Sequence, residues 1–129
     1  MIKIIWIFIK YSKDQLYIMF DFAIYGGAGF IGSHLIKHYI KKKNKVLCID
    51  NFSTGNLQNI KSLLSNKNLS LLKHDVIKKK KIKSKVHINL ACPASPIQYQ
   101  KNPINTFKTS VLGSINILDN ALETDSIVF

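Results

Sequence analysis

The residues of this chain able to do chemistry are concentrated in one pattern. Gly27-Ala28-Gly29-Phe30-Ile31-Gly32 follows an apolar run, with Gly26 just before it, and Asp50 closes the next apolar run. Glycines at these spacings let a chain leave a strand through a tight turn, bring backbone N–H groups up to a diphosphate, and seat a helix closely against a sheet. A diphosphate held there lies on the positive end of the helix. An acid at the end of the second strand accepts hydrogen bonds from ribose hydroxyls, and its charge repels a 2′-phosphate. The chemistry implied is dinucleotide binding, with NAD favoured over NADP. Glycine spacing alone is a weak signal; here strand, turn, helix, strand and acid arrive in the order that binding needs.

The sequence offers no second centre. His34, His38, His74 and His87 lack acidic or thiol partners at metal-ligand spacing. Paired carboxylates, a Ser-His-Asp arrangement and a closely spaced cysteine pair are absent from the sequence. Cys48 falls in an expected strand and Cys92 stands beside a proline; both read as packing residues, with Cys92 also able to line a cofactor cleft. Two such cysteines make no disulfide framework and fit a reducing, cytoplasmic setting.

With 129 residues the chain is one domain at most. Its 19 basic residues are all lysine, and the formal net charge is +12. Lysines spread over solvated helix faces produce such a total as readily as an anionic partner would demand. Arginine, the usual reader of base edges, is missing, and the basic run Lys78–Lys85 has no interleaved aromatics, so no nucleic-acid partner is expected. Residues 1–10 are apolar but interrupted by Lys3 and ended by Lys10. That is too short for a membrane span and lacks a small-residue cleavage site, so no membrane partner is expected either. The fold is expected to start near Met19, leaving residues 1–18 as an N-terminal extension.

The elements that must position the site follow from periodicity. Residues 18–25 read as a first strand, with Asp21 an awkward guest in it. A helix over 30–42 shows Ile31, Leu35, Ile36, Tyr39 and Ile40 at helical spacing, and 45–49 is a second strand. Asp50 to Gly55 forms a polar loop, followed by a short helix with Ile60, Leu63 and Leu64 inward. Residues 69–72 form a third strand closed by His74-Asp75-Val76; the lysine run reads as a solvated connection, and 86–90 as a fourth strand. A Pro-rich loop, 91–96, leads to a helix from Pro103 to Glu123. Its apolar face is Ile104, Phe107, Val111, Leu112, Ile115, Ile117, Leu118 and Leu122, with Gly113 a point of close approach. Ser126 to Phe129 opens a fifth strand. Right-handed crossovers then give an α/β, Rossmann-type doubly wound parallel sheet ordered 3-2-1-4, with the fifth strand joining beside the fourth and only begun within this sequence. The cofactor is expected across the carboxyl ends of strands 1 and 4.

Four blocks carry a resemblance: Gly26 to Leu35, Asp50 to Gly55, His74-Asp75-Val76, and Leu90 to Tyr99 running on through Asn102-Pro103 to Lys108-Thr109. From about Met19 onward the chain resembles the extended short-chain dehydrogenase/reductases, and among them the UDP-glucuronate decarboxylases. The first two blocks are shared with many sugar-nucleotide epimerases and dehydratases; the Ala91-Cys92-Pro93-Ala94-Ser95-Pro96 run is the more specific. The resemblance implies that Gly26, Gly29, Phe30 and Ile31 meet the pyrophosphate of NAD, while Asp50, Asn51, Ser53, Thr54 and Gly55 hold the adenosine. It further implies that Asp75 and Val76 bracket the adenine, that Leu90 and Cys92 line the nicotinamide side, and that Lys108 reaches a UDP-sugar.

The implied activity is redox-neutral decarboxylation of UDP-glucuronate to UDP-xylose, in a homodimer formed through the helix from Pro103. The tyrosine of a Tyr-x-x-x-Lys helix that removes the C4 hydroxyl proton in this superfamily would lie beyond the sequence. Tyr39 and Lys43 match the spacing only formally, on a packing helix. No catalytic residue is therefore assigned, and the chain is expected to be the NAD-binding N-terminal portion, inactive alone. Tyr25, Lys80, Lys81, Asn89 and Ser110 depart from the family pattern. A related epimerase or dehydratase portion, or a non-catalytic nucleotide-binding remnant, are the alternative readings.

Overall fold

Strand β1, Phe20–Tyr25, lies at the centre of a five-stranded sheet. Its neighbours are β2 (Val46–Asp50) and β4 (Ser84–Asn89), with β3 (Leu69–Lys73) outside β2 and β5 (Ile127–Val128) outside β4. All pairings are parallel, and the order is β3-β2-β1-β4-β5, as the alternation of elements implies. The computed structural model describes residues 19–129; the extension expected at 1–18 lies outside the described residues.

Side chains of a strand alternate between faces, so each central strand feeds two cores. Ile24, Val46, Cys48 and Ile88 point to the side of α1 (Phe30–Lys41), where Ile36, Ile40 and Ile60 complete a cluster. Ala23, Tyr25, Leu47 and Ile49 face the other way, against Val76, Ile82 and Ile117 of the side covered by α3 (Pro103–Thr124). Burial on both faces explains why these strands read as continuous apolar runs. Asp21 sits at the amino edge of the sheet, where it accepts from the Lys45 backbone N–H at 2.8 Å and from Lys85 Nζ at 2.7 Å. The bond from Lys85 holds its carboxyl below the ordinary range.

Several elements differ from the periodic reading. The lysine run is only partly a solvated connection, because Ile82 and Ser84 are buried and β4 begins at Ser84. The Asn120 amide clamps Ile82 from both sides, accepting its N–H at 2.9 Å and donating to its carbonyl at 3.0 Å. The short helix expected near Ile60 is a pair of 3₁₀ turns, Leu57–Asn59 and Lys61–Leu63, around a fully buried Ile60. The Pro-rich loop ends earlier than expected, in α2 (Pro96–Lys101). Asn102 then caps α3 by accepting from the Asn105 N–H at 3.1 Å, with Pro103 in the first turn.

The largest correction concerns α3. Its buried stripe is Thr109, Gly113, Ile117, Asn120 and Ala121, whereas Ile104, Phe107, Val111, Leu112, Ile115, Leu118 and Leu122 are exposed. Leu122 reaches 83% exposure. Only Ile117 of the expected apolar face is in the core. Gly113 is the close approach the sequence suggests: a Cβ there would come within 2.6 Å of Val76 Cγ2.

Candidate cofactor site

The glycine turn is built against two neighbouring strand ends. The N–H of Gly26 donates to the Ile49 carbonyl at 2.8 Å, extending the β1–β2 ladder by one residue before the chain turns. Gly26 takes a φ of 74°, and a side chain on it would strike the Leu90 carbonyl at 2.5 Å. The turn closes when Gly29 N–H donates to Gly26 O at 3.1 Å. A side chain at Gly32 would overlap that same carbonyl, so α1 can start this close to the turn only with glycine there. Gly29, in extended conformation, offers no side-chain cap to α1. The first-turn N–H groups of Phe30, Ile31 and Gly32 thus have neither an intrahelical acceptor nor a capping side chain.

Asp50, at the end of β2, is only 7% exposed. Its Oδ2 accepts from the Ala28 N–H at 2.9 Å and its Oδ1 from the Phe52 N–H at 2.8 Å. Gly55 lies directly over this carboxylate, where a Cβ would sit 2.7 Å from Oδ2. Next to it, Asn51 Nδ2 donates to Asp75 Oδ2 at 3.1 Å, and Asn51 Oδ1 accepts from the Ser53 N–H at 2.9 Å. The loop after β2 and the loop after β3 are therefore tied together beside the acid.

These elements surround a cleft of about 600 Å³ at the carboxyl edge of the sheet. Of the residues singled out from the sequence, Gly26, Gly29, Phe30, Ile31, Asp50, Asn51, Ser53, Thr54, Gly55, Val76, Leu90 and Cys92 line it. Asp75 stands behind the lining as partner of Asn51, and Lys108 is exposed on α3 outside it, next to Thr109, which does line it. Ser95, Gln98 and Thr109 also contribute. Gln98 was missed because a helix as short as α2 leaves no periodic signal. Phe30, at 78% exposure, presents an apolar ring at the rim.

The two cysteines differ sharply. Cys48 is fully buried, and burial together with the nearby Asp50 charge pushes its thiol up to about 12. Cys92 is not a packing residue: it is exposed, with Sγ 3.0 Å from Ser110 Oγ. On the α3 side of the sheet, Tyr25 Oη lies 3.1 Å from His87 Nδ1, and Asn120 Nδ2 lies 3.5 Å from His87 Nε2. Burial pushes the His87 pKa down and the Tyr25 pKa up. Among the described residues no His, Cys, Asp and Glu cluster could hold a metal ion. None of the described helices is long and apolar enough to cross a membrane.

The family model for GDP-mannose 4,6-dehydratase matches residues 23–128. The chain belongs to this family of extended short-chain dehydrogenase/reductases. Among its relatives in the family, UDP-glucuronic acid decarboxylase 1 of Arabidopsis thaliana is 44% identical over 96 residues, which is 74% of this chain and 22% of the relative. UDP-glucuronic acid decarboxylase 5 of the same plant is 45% identical over 110 residues, 84% of this chain and 31% of the relative. The chain thus spans less than a third of the length of these relatives. The NAD-bound dTDP-glucose 4,6-dehydratase DesIV of Streptomyces venezuelae superposes with a TM-score of 0.72 over 81% of this chain and 36% of its own, at 18% identity. At that identity the likeness is one of fold.

Proposed function

We propose that residues 19–129 form the NAD-binding portion of a UDP-glucuronate decarboxylase. The observation that carries this reading is the joining of the glycine turn to Asp50 by the Ala28 N–H bond, beside helix-start amides without intrahelical acceptors. That arrangement fits the cofactor: glycines where any Cβ would collide, a recessed acid, and a cleft between them. The amides of Phe30, Ile31 and Gly32 would hold the diphosphate. Each Asp50 oxygen accepts one bond within the fold and retains a lone pair for a ribose hydroxyl. Asn51, Ser53, Thr54 and Gly55 would enclose the adenosine, Val76 with Asp75 behind it would flank the adenine, and Leu90 and Cys92 would border the nicotinamide.

Bound NAD would supply reversible hydride removal at C4 of the sugar, the oxidation that makes loss of the adjacent carboxylate easy. The choice of UDP-glucuronate rests on the 40–45% identity to decarboxylases and on the Pro-rich loop, whose residues 91–95 line the cleft. Lys108, exposed beside Thr109, is assigned to the phosphates of the UDP-sugar. Two copies would pair through the exposed apolar side of α3, whose Ile104, Phe107 and Leu112 find no cover among the described residues.

Calorimetric titration of the chain tests the cofactor. NAD should bind at least tenfold more tightly than NADP, and equal affinity or no binding would overturn the reading. Carboxyl-labelled UDP-glucuronate tests the sugar, assayed with and without any polypeptide encoded downstream. Release of labelled carbon dioxide in its presence supports decarboxylation. Epimerisation of UDP-glucose without that release would move the assignment to an epimerase.

A further inference from the structure

We propose that Asn59 is a positioning residue of the anion-binding turn, an inference that rests on the NAD-binding reading and deepens it. The Ala28 peptide units are held on every side. The Ala28 N–H donates to Asp50 Oδ2 at 2.9 Å, and its carbonyl accepts both the Asn59 Nδ2 at 2.8 Å and the Asn56 backbone N–H at 3.1 Å. Both lone pairs of that carbonyl are thereby occupied from the side of the loop after β2. Ala28 is fully buried and takes no part in lining the cleft, although its neighbours Gly26 and Gly29 do.

The electrostatic consequence follows from the flexibility of the sequence. Gly27-Ala28-Gly29 is a segment in which a peptide can rotate at low cost. A rotation of the 28–29 peptide would turn its carbonyl toward the space beside the Phe30 and Ile31 amides, placing negative partial charge where the diphosphate must lie. Two donors on the far side, together with the Gly29 N–H bond to the Gly26 carbonyl, oppose that rotation, so the amides are preorganised before the ligand arrives. Asn59 is well placed for the task. Asn56 caps the 3₁₀ turn Leu57–Asn59 by accepting from the Gln58 N–H at 2.9 Å, and the following Ile60 is anchored at 0% exposure in the α1-side core. The side chain therefore reaches Ala28 from a fixed platform.

The test compares Asn59→Ala and Asn59→Asp with the unaltered chain, using NAD and adenosine as separate probes in NMR or calorimetric titrations. Asn59→Asp preserves volume and removes the donor. Both variants should bind NAD roughly tenfold more weakly, the loss of about one hydrogen bond, while adenosine affinity stays unchanged because Asp50 and its loop are intact. Equal NAD affinity in variants and parent overturns the proposal and leaves NAD binding standing. Parallel loss of NAD and adenosine, or loss of the folded state in both variants, makes Asn59 a structural residue and overturns it too. Failure of the parent chain to bind NAD removes both readings together.

Discussion

The Ala28 backbone N–H and the Asp50 carboxylate are joined by a 2.9 Å hydrogen bond across the β1–β2 edge. In the proposed dinucleotide site this bond would fix the diphosphate-binding turn and the ribose-binding acid relative to each other. The bond is charge-assisted and nearly solvent-free, which places it among the stronger neutral–ionic contacts a fold can make. A carboxylate so placed would serve stability and recognition together, and the two roles can be separated by substitution.

Asp50→Asn removes the charge while keeping the shape. One backbone donor, Ala28 or Phe52, then faces an amide nitrogen, and stability should fall by about 2 kcal/mol in denaturant titration. With the repulsive charge gone, the ratio of NADP to NAD affinity should rise by about tenfold or more, since a charge a few ångströms from a phosphate is worth over ~1.4 kcal/mol at intermediate dielectric. Unchanged selectivity would show that the acid does not meet the ribose.

Gly26→Ala tests the turn itself. The left-handed φ of 74° and the clash with the Leu90 carbonyl act together, since the clashing atom belongs to backbone and cannot swing aside. Strain and overpacking should cost roughly 2–4 kcal/mol, read as a lowered Tm, with NAD binding lost. A variant of parental stability would mean that the turn can take another path.

Much of this was legible in sequence because the relevant residues are forced by backbone geometry. Gly26, Gly29, Gly32 and Gly55 occupy places where a side chain meets carbonyls or the Asp50 carboxylate, and such constraints leave a fixed spacing behind. Sheet order followed from alternation of element types. The inner face of α3 was not legible, because its stripe is set by close approach and hydrogen bonding. Gly113 admits Val76, and Asn120 satisfies the Ile82 peptide, so small and polar residues go inward and seven large apolar ones stay out. A hydrophobicity pattern ranks those two faces the wrong way round. Asn59 escaped notice for a related reason: its partner is a backbone carbonyl distant in sequence.

His87 should make stability depend on pH. Burial holds its folded pKa below the ordinary value of about 6.5, so between the two the unfolded chain binds more protons. Stability is then full above pH 6.5 and declines as pH falls from there toward the folded value. His74, also depressed mainly by burial, adds in the same direction. Urea midpoints measured across pH 4.5–8 should show this decline, and His87→Gln should flatten part of it. An unaltered slope in that variant would assign the effect elsewhere.

Thiol labelling should distinguish the cysteines and report on the cleft. Cys92 is exposed and should react with a disulfide reagent in the folded chain, while Cys48, buried and raised to about 12, should react only on unfolding. Because Cys92 lines the cleft, saturating NAD should slow its labelling several-fold. Equal rates with and without NAD would place the nicotinamide end away from Leu90 and Cys92.

The contact between Gly113 and Val76 couples α3 to the cleft. A methyl group added by Gly113→Ala would sit 2.6 Å from Val76 Cγ2, and Val76 is both 6% exposed in the core and part of the cleft wall. The β-branched side chain has little rotamer freedom to yield, so the helix must shift outward or Val76 must move into the cleft. Gly113→Ala should destabilise by about 1–3 kcal/mol and weaken NAD, and Val76→Ala alone should lose roughly as much by leaving a cavity. Combined, the methyl added at residue 113 takes the space of one of the two that Val76 loses, so the double variant should be more stable than the sum of the singles by at least ~1 kcal/mol. Simple additivity would mean that α3 and the loop after β3 move independently, and that the helix does not set the width of the cleft at Val76.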